Sequence, residues 1–140
     1  MCPDTKALLA YVKLELFFAA ICYYIKINPK PITAMAKKIA EQLIDTLVKS
    51  GVERIYAVTG DSLNEVNEAV RKNDQIKWIH VRHEETGAYA AAAEAQLTGR
   101  PGCCAGSSGP GHVHLINGLY DAHRSGAPVI AIASTIPTGE

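Results

Sequence analysis

Residues 76–106, IKWIHVRHEETGAYAAAAEAQLTGRPGCCAG, contain a strand, a helix and a second strand in succession. The β-branched and apolar run from Ile76 to Val81 predicts a strand. An alanine-rich helix is predicted from Glu84 to Leu97, because a Gly-Arg-Pro sequence ends it before the apolar run Gly102 to Gly106. Parallel strands need a long crossover, and a helix between two strands supplies one, so this stretch predicts a parallel sheet.

The same alternation continues on both sides of this stretch. Strands recur with one helix in each gap and are apolar on both faces, which predicts an α/β fold. Its parallel sheet is covered by helices on both faces and joined by right-handed crossovers. The other predicted elements are a helix with an apolar stripe at Ile39, Leu43, Ile44, Leu47 and Val48 before a Ser50-Gly51 stop, a strand at Arg54–Thr59, a helix capped by Ser62, a helix from Gly109 to about Arg124, and a strand at Pro128–Ser134.

The length and charge of the chain limit the classes of function that it can have. A chain of 140 residues is enough for one domain. Fourteen Lys and Arg balance fourteen Asp and Glu, which argues against nucleic acid as a partner. Four cysteines, at 2, 22, 103 and 104, lack the spacing of a zinc site, so we expect reduced thiols and a cytoplasmic location.

The first 34 residues differ from the rest. The run from Ala7 to Ile25 is apolar apart from Lys13 and Glu15. Its apolar residues favour membrane insertion by roughly 3–5 kcal/mol, whereas the two charges cost about 5–7 kcal/mol. We therefore expect an N-terminal extension (residues 1–34) that takes no part in the chemistry, with peripheral membrane association as the alternative, followed by a domain at 35–140.

Ligands of such sheets bind beyond the carboxyl ends of the strands. One loop there, Gly106 to Gly111, joins a strand to a helix but lacks the Lys of a Walker A motif and the order of a dinucleotide fingerprint. It is either a tight turn or a place where a ligand approaches bare backbone. Ser107 and Ser108 lack a base and acid that would complete a hydrolase triad.

Glu84 and Glu85 open a helix at the same edge. They either complement the helix dipole or place a carboxylate on a nitrogen of a cofactor or substrate. His112 and His114 point about 200° apart on a helix and cannot share an ion. We therefore assign no metal ligand, and we expect these histidines and His123 to line or cap the site.

Taken together, these motifs resemble the pyrimidine-binding domain of thiamine-diphosphate enzymes over residues 35–140. Within that family they most resemble pyruvate oxidases and pyruvate:quinone oxidoreductases, because acetolactate synthases usually carry Asn at the position of His114. The motifs are Val58-Thr-Gly-Asp-Ser-Leu-Asn64, Val81-Arg-His-Glu-Glu85, Ala95-Gln-Leu-Thr-Gly99, Gly106-Ser-Ser-Gly-Pro-Gly111 and His114-Leu-Ile-Asn-Gly-Leu-Tyr-Asp-Ala122.

The resemblance implies that Glu84 is the catalytic glutamate, which hydrogen-bonds N1′ of the cofactor's aminopyrimidine. Protonation of N1′ favours the imino tautomer, whose 4′-nitrogen then takes the C2 proton of the thiazolium. It also implies cofactor binding by Gly60 and Pro110, against whose backbone the pyrimidine lies, and by His114, which faces the active site.

The resemblance further implies pyruvate as substrate and a homo-oligomer, dimer or tetramer, with the site between subunits. Mg²⁺ and FAD are expected on other domains, so this chain is expected to be a C-terminally truncated part that is inactive alone. An acetolactate synthase-like or other 2-oxo acid decarboxylase stays open. So does a non-catalytic module that pairs with a separate diphosphate-binding domain.

Overall fold

The computed structural model describes residues 36–136, which form a four-stranded parallel sheet with helices on both faces. The predicted fold class is confirmed. The extension at residues 1–34, and the boundary proposed at residue 35, lie outside the described residues. In chain order the elements are α1 (Ile39–Lys49), β1 (Arg54–Ala57), a 3-10 turn (Asp61–Leu63), α2 (Asn64–Arg71), β2 (Lys77–His80), α3 (Glu84–Thr98), β3 (Gly102–Gly106), α4 (Pro110–Val113), α5 (Ile116–Arg124) and β4 (Val129–Ala133).

The strand order is β2-β1-β3-β4. After β1 the chain moves to one side of the sheet to form β2, and it then crosses back to form β3 on the other side of β1. The sheet therefore has a topological switch point between β1 and β3. In open parallel sheets, the crevice outside the strand ends at this point is where ligands bind.

Side chains of β1 and β3 alternate between two cores. Ile55 and Cys103 pack with Ile44 of α1 and other residues of α1 and α2. Tyr56 and Cys104, one position further along each strand, belong to the core under α3 and α5. Successive strand residues point to opposite faces, so neighbouring thiols cannot bond to each other without strain, and both cysteines are free as expected.

The helix predicted from Gly109 to Arg124 is two helices. The amide of Leu115 bonds the carbonyl of His112 at 3.3 Å, a tighter i to i+3 turn that ends α4. This turn places Leu115 in the core under α3, whereas the neighbouring His114 is exposed. A smooth 3.6-residue period does not reveal such a break, because both halves keep helical spacing.

Other boundaries are shorter than predicted. β1 ends at Ala57, two residues early, and β2 spans Lys77–His80 rather than Ile76 to Val81. In α1, Ile44 and Leu47 are buried, but Ile39 is 86% exposed. The predicted stripe therefore begins one turn too early, because Ile39 is the first helical residue. Within the described residues, no helix combines the length and the hydropathy needed to cross a bilayer.

Candidate functional site

Three loops meet beyond the carboxyl ends of β1, β2 and β3. The loop after β2 ends at His83, whose backbone is extended (φ −154°, ψ 139°) and whose ring accepts a 3.3 Å hydrogen bond from the amide of Glu85. His83 is thus the N-cap of α3, and Glu84 is the first helical residue. This local geometry places the Glu84 side chain beside the loop that follows β3, at the switch point.

Among the residues that the structure describes, Glu84 is the one charged residue that is buried, with 9% of its surface exposed. Burying a carboxylate costs free energy unless hydrogen bonds or opposite charge compensate it. Its partner within residues 36–136 is His114, whose Nδ1 lies 3.1 Å from Oε2. A buried carboxylate at a ligand-binding edge is a signature of function more than of stability.

The second oxygen of Glu84 faces a glycine. A Cβ on Gly111 would lie 3.2 Å from Oε1 and 3.3 Å from Cβ of Ser107. The carboxylate therefore lies beside bare backbone, as the predicted approach of a ligand to this glycine loop requires. Within the described residues, Oε1 receives no hydrogen bond. One oxygen is thus held by His114 and the other is available to a ligand.

Gly60 and Pro110, which are also predicted to bind the cofactor, lie in the loops that follow β1 and β3. A Cβ on Gly60 would lie 2.3 Å from Oγ of Ser107, so this glycine is needed for the packing of two loops. Pro110 is exposed and begins α4. Both residues lie in loops at the switch point, and their contact with the pyrimidine stays a prediction.

Ser62 is not the helix cap that the sequence predicts. Neither the 3-10 turn nor α2 has a side-chain cap. Instead, Oγ of Ser62 lies 2.9 Å from Oγ of Ser107 and 2.7 Å from Oγ of Ser134, and it accepts a 2.9 Å bond from the amide of Ser108. The serine joins the loops that follow β1, β3 and β4. Because these partners are 45 or more residues away, local sequence gives no signal of them.

His83 is the site residue that the sequence did not single out. Its ring stacks on that of His114, with centroids 4.5 Å apart and planes inclined by 26°. His83 directly precedes Glu84 at the end of a strand, and that position is the sequence signal that could have identified it. The fold turns this strand end toward the same crevice. His112 is not part of this stack, consistent with the opposite directions expected for positions 112 and 114.

The arrangement is suited to holding a proton at a ligand. A carboxylate that is shielded from water, fixed through one oxygen and open through the other can hold a proton between itself and a ligand nitrogen. The glycine beside it keeps a side chain out of the space next to Oε1. The carboxylate of the neighbouring Glu85 instead accepts a hydrogen bond from the side-chain amide of Asn117 at 3.2 Å.

Comparisons with known proteins found a matching family and several relatives. Residues 37–140 match the family described as thiamine pyrophosphate enzyme, N-terminal TPP binding domain. The chain is 52% identical over 108 residues to YdaP of Bacillus subtilis (strain 168), covering 76% of this chain and 19% of that protein. It is 47% identical over 97 residues to pyruvate oxidase of Lactiplantibacillus plantarum, covering 69% and 16%.

Acetolactate synthase 3 of Brassica napus is 36% identical over 101 residues, covering 72% of this chain and 16% of that protein. The chain thus spans at most about a fifth of the length of these three relatives. The family match covers most of the chain and all the motifs at the switch point. On that evidence, the chain belongs to the N-terminal, TPP-binding domain family of the thiamine pyrophosphate enzymes.

Proposed function

We propose that this chain is the pyrimidine-binding part of a thiamine-diphosphate enzyme that acts on pyruvate, with the Glu84 carboxyl group meeting N1′ of the aminopyrimidine. The observation that carries the proposal is the buried Glu84 carboxylate, held by His114 through Oε2 and facing Gly111 through Oε1.

The residues present fit the pyrimidine end of the cofactor. A side chain at Gly111 would fill the space beside Oε1, so the glycine keeps that approach open. When bound, the cofactor supplies the electron sink for cleaving the bond to the carboxylate of a 2-oxo acid. Glu84 holds the proton at N1′, His114 orients the carboxylate, and the packed glycine loop excludes water from one side.

The finer activity rests on the relatives and on His114. The greater identity to a pyruvate oxidase than to an acetolactate synthase, 47% against 36%, favours oxidative decarboxylation of pyruvate. We expect FAD, Mg²⁺ and the diphosphate site on other domains, in a cytoplasmic homo-oligomer whose site lies between subunits. The acetolactate synthase relative supports the second candidate, condensation with another 2-oxo acid. A non-catalytic module remains the third.

A test of the site uses backbone amide NMR spectra of the ¹⁵N-labelled chain titrated with thiamine. Weak binding shifts amide resonances even when affinity is low, so half a site is sufficient. Shifts are expected at Glu84, Gly111 and His114 and are expected to vanish in Glu84→Gln. The matched control is Glu85→Gln, which makes the same substitution at the next residue and leaves the Glu84 carboxylate intact. Shifts confined to other parts of the chain, or none, would contradict the proposed pyrimidine site.

The two candidate reactions are separated in the complete polypeptide that carries this domain. With pyruvate as the sole 2-oxo acid and a redox dye present, an oxidase reduces the dye as it releases carbon dioxide. A synthase instead forms acetolactate without reducing the dye. Neither product with pyruvate would favour the non-catalytic module.

A further inference from the structure

Two imidazoles and a carboxylate converge at the switch point. His83, Glu84 and His114 each offer one ligand atom, and these atoms all lie within 4.8 Å of one another. Two histidine nitrogens and one carboxylate oxygen are a donor set of catalytic zinc sites, which keep their fourth position open. The group brings together parts of the chain that are 30 residues apart. It is therefore not a consequence of local sequence alone.

The distances require only a small adjustment. In a tetrahedral zinc site the donor atoms are about 3.3 Å apart, since each lies about 2.0–2.1 Å from the ion. Nδ1 of His114 and Oε2 of Glu84 are already 3.1 Å apart. The remaining adjustment is a rotation of the His83 ring out of its stack on His114. Its side chain is 48% exposed, and the bond that it would give up, from the amide of Glu85, is long at 3.3 Å.

We propose that His83, Glu84 and His114 form a binding site for a divalent transition ion, Zn²⁺ above all, with water as the fourth ligand. Nitrogen donors favour Zn²⁺, Co²⁺, Ni²⁺ and Cu²⁺ over Mg²⁺ and Ca²⁺, so the site discriminates against the hard ions. It is thus different in kind from an oxygen-lined magnesium site.

The ion and the aminopyrimidine exclude each other, because zinc on Oε2 draws off the negative charge that Oε1 needs to hold a proton at N1′. This part of the inference rests on the proposed function, whereas metal binding itself does not. Zinc would then act as an inhibitor that competes with the pyrimidine end of the cofactor. Magnesium, which these donors bind poorly, would leave the pyrimidine in place.

The metal site is tested on the full 140-residue chain with Cys2→Ser and Cys22→Ser substitutions, because thiols also bind zinc. Co²⁺ is titrated and followed by its visible absorption, and Zn²⁺ is titrated by calorimetry with excess Mg²⁺ present. One equivalent of each ion is expected to bind, with the intense visible bands of a tetrahedral Co²⁺ site. Absence of binding by a folded chain would overturn the proposal.

Ligand variants locate the ion. His83→Ala and His114→Ala are each expected to weaken Zn²⁺ binding about tenfold or more, because loss of even an outer-shell partner costs that much. The matched controls are His80→Ala and His123→Ala, which remove exposed histidines outside the group and should leave the affinity unchanged. Circular dichroism confirms that each variant is folded. Equal zinc affinity in all four variants would refute the assignment.

Competition distinguishes this proposal from the proposed function. Zn²⁺ is expected to reverse the thiamine-induced amide shifts, and Mg²⁺ is not. Bound zinc that leaves those shifts intact would refute the exclusion. If thiamine binds and zinc does not, the metal site is wrong and the pyrimidine site stands. If zinc binds through both histidines and thiamine does not bind, the metal site stands and the proposed function fails.

Discussion

Nδ1 of His114 lies 3.1 Å from Oε2 of Glu84, which ties the bend between α4 and α5 to the first turn of α3. The contact lies at the break in the predicted long helix. The tight turn from His112 to Leu115 that ends α4 contains His114, whose imidazole faces the carboxylate. One buried charge and one helix break are therefore parts of the same arrangement.

Removal of the His114 ring should destabilise the chain. In His114→Ala the buried Glu84 carboxylate loses its hydrogen bond, and bonds to charged groups contribute about 1.5–3 kcal/mol. A decrease of this size is expected in the free energy of unfolding by urea at pH 7. The control, His123→Ala, removes an exposed histidine of α5 and should change the free energy of unfolding little. Equal losses in the two variants would show that the contact contributes nothing.

Ser62→Ala should loosen the loops at the site without unfolding the sheet. The variant loses the hydroxyl that accepts from the amide of Ser108 and joins Ser107 to Ser134. About 1–2 kcal/mol of stability is expected to be lost, because each net hydrogen bond contributes roughly 1 kcal/mol. Hydrogen exchange at the Ser108 amide should accelerate, while amides of β1 and β3 exchange as before. Ser125→Ala, at the exposed end of α5, serves as the control. An unchanged rate at Ser108 would contradict the role given to Ser62.

Gly118→Ala should destabilise the chain although alanine is the better helix former. A Cβ there would lie 2.5 Å from Cβ of Ala88 and 2.8 Å from the amide nitrogen of Tyr89, so α5 could not keep its approach to α3. Overpacking costs about 1–3 kcal/mol, which exceeds the propensity gain of about 1 kcal/mol. Asp121→Ala, on the exposed side of α5, should be neutral or slightly stabilising in thermal unfolding. A more stable Gly118→Ala would show that the helices are not in close contact.

Alkaline pH should destabilise the fold through the two buried thiols. Burial raises the pKa of Cys103 and of Cys104 from 9.0 to about 12. Between these values the native state keeps protons that the unfolded chain loses, so stability is fully present below pH 9 and falls as the pH rises toward 12. Each thiol contributes a slope of at most about 1.4 kcal/mol per pH unit.

The slope is measured by urea unfolding at several pH values in this window. Other groups titrate there too, so the test is the difference from a Cys103→Ala, Cys104→Ala variant, in which stability should depend less on pH. The same slope in both proteins would mean that the thiols ionise alike in the folded and unfolded chains.

The sequence was sufficient to predict the fold because its signals are local and repeated. Strands such as Gly102–Gly106 are short apolar runs between glycines, and Gly51, predicted to stop α1, has the left-handed φ of +91° that favours glycine. The residue pattern placed Glu84 and Glu85 at the ligand-binding edge, and the family resemblance singled out Glu84. Long-range contacts were not predictable in this way. The stacking of His83 on His114 and the bonds of Ser62 depend on how three loops pack, which no periodicity encodes.

The central claim is that Glu84 holds the proton at N1′, and hydrogen–deuterium exchange at C2 of the bound cofactor tests it most directly. The measurement uses the complete polypeptide that carries this domain, loaded with thiamine diphosphate and quenched in acid for proton NMR. Exchange is expected to slow by orders of magnitude in Glu84→Gln and to stay at the wild-type rate in Glu85→Gln. Exchange at the wild-type rate in a folded, cofactor-loaded Glu84→Gln enzyme would contradict the account.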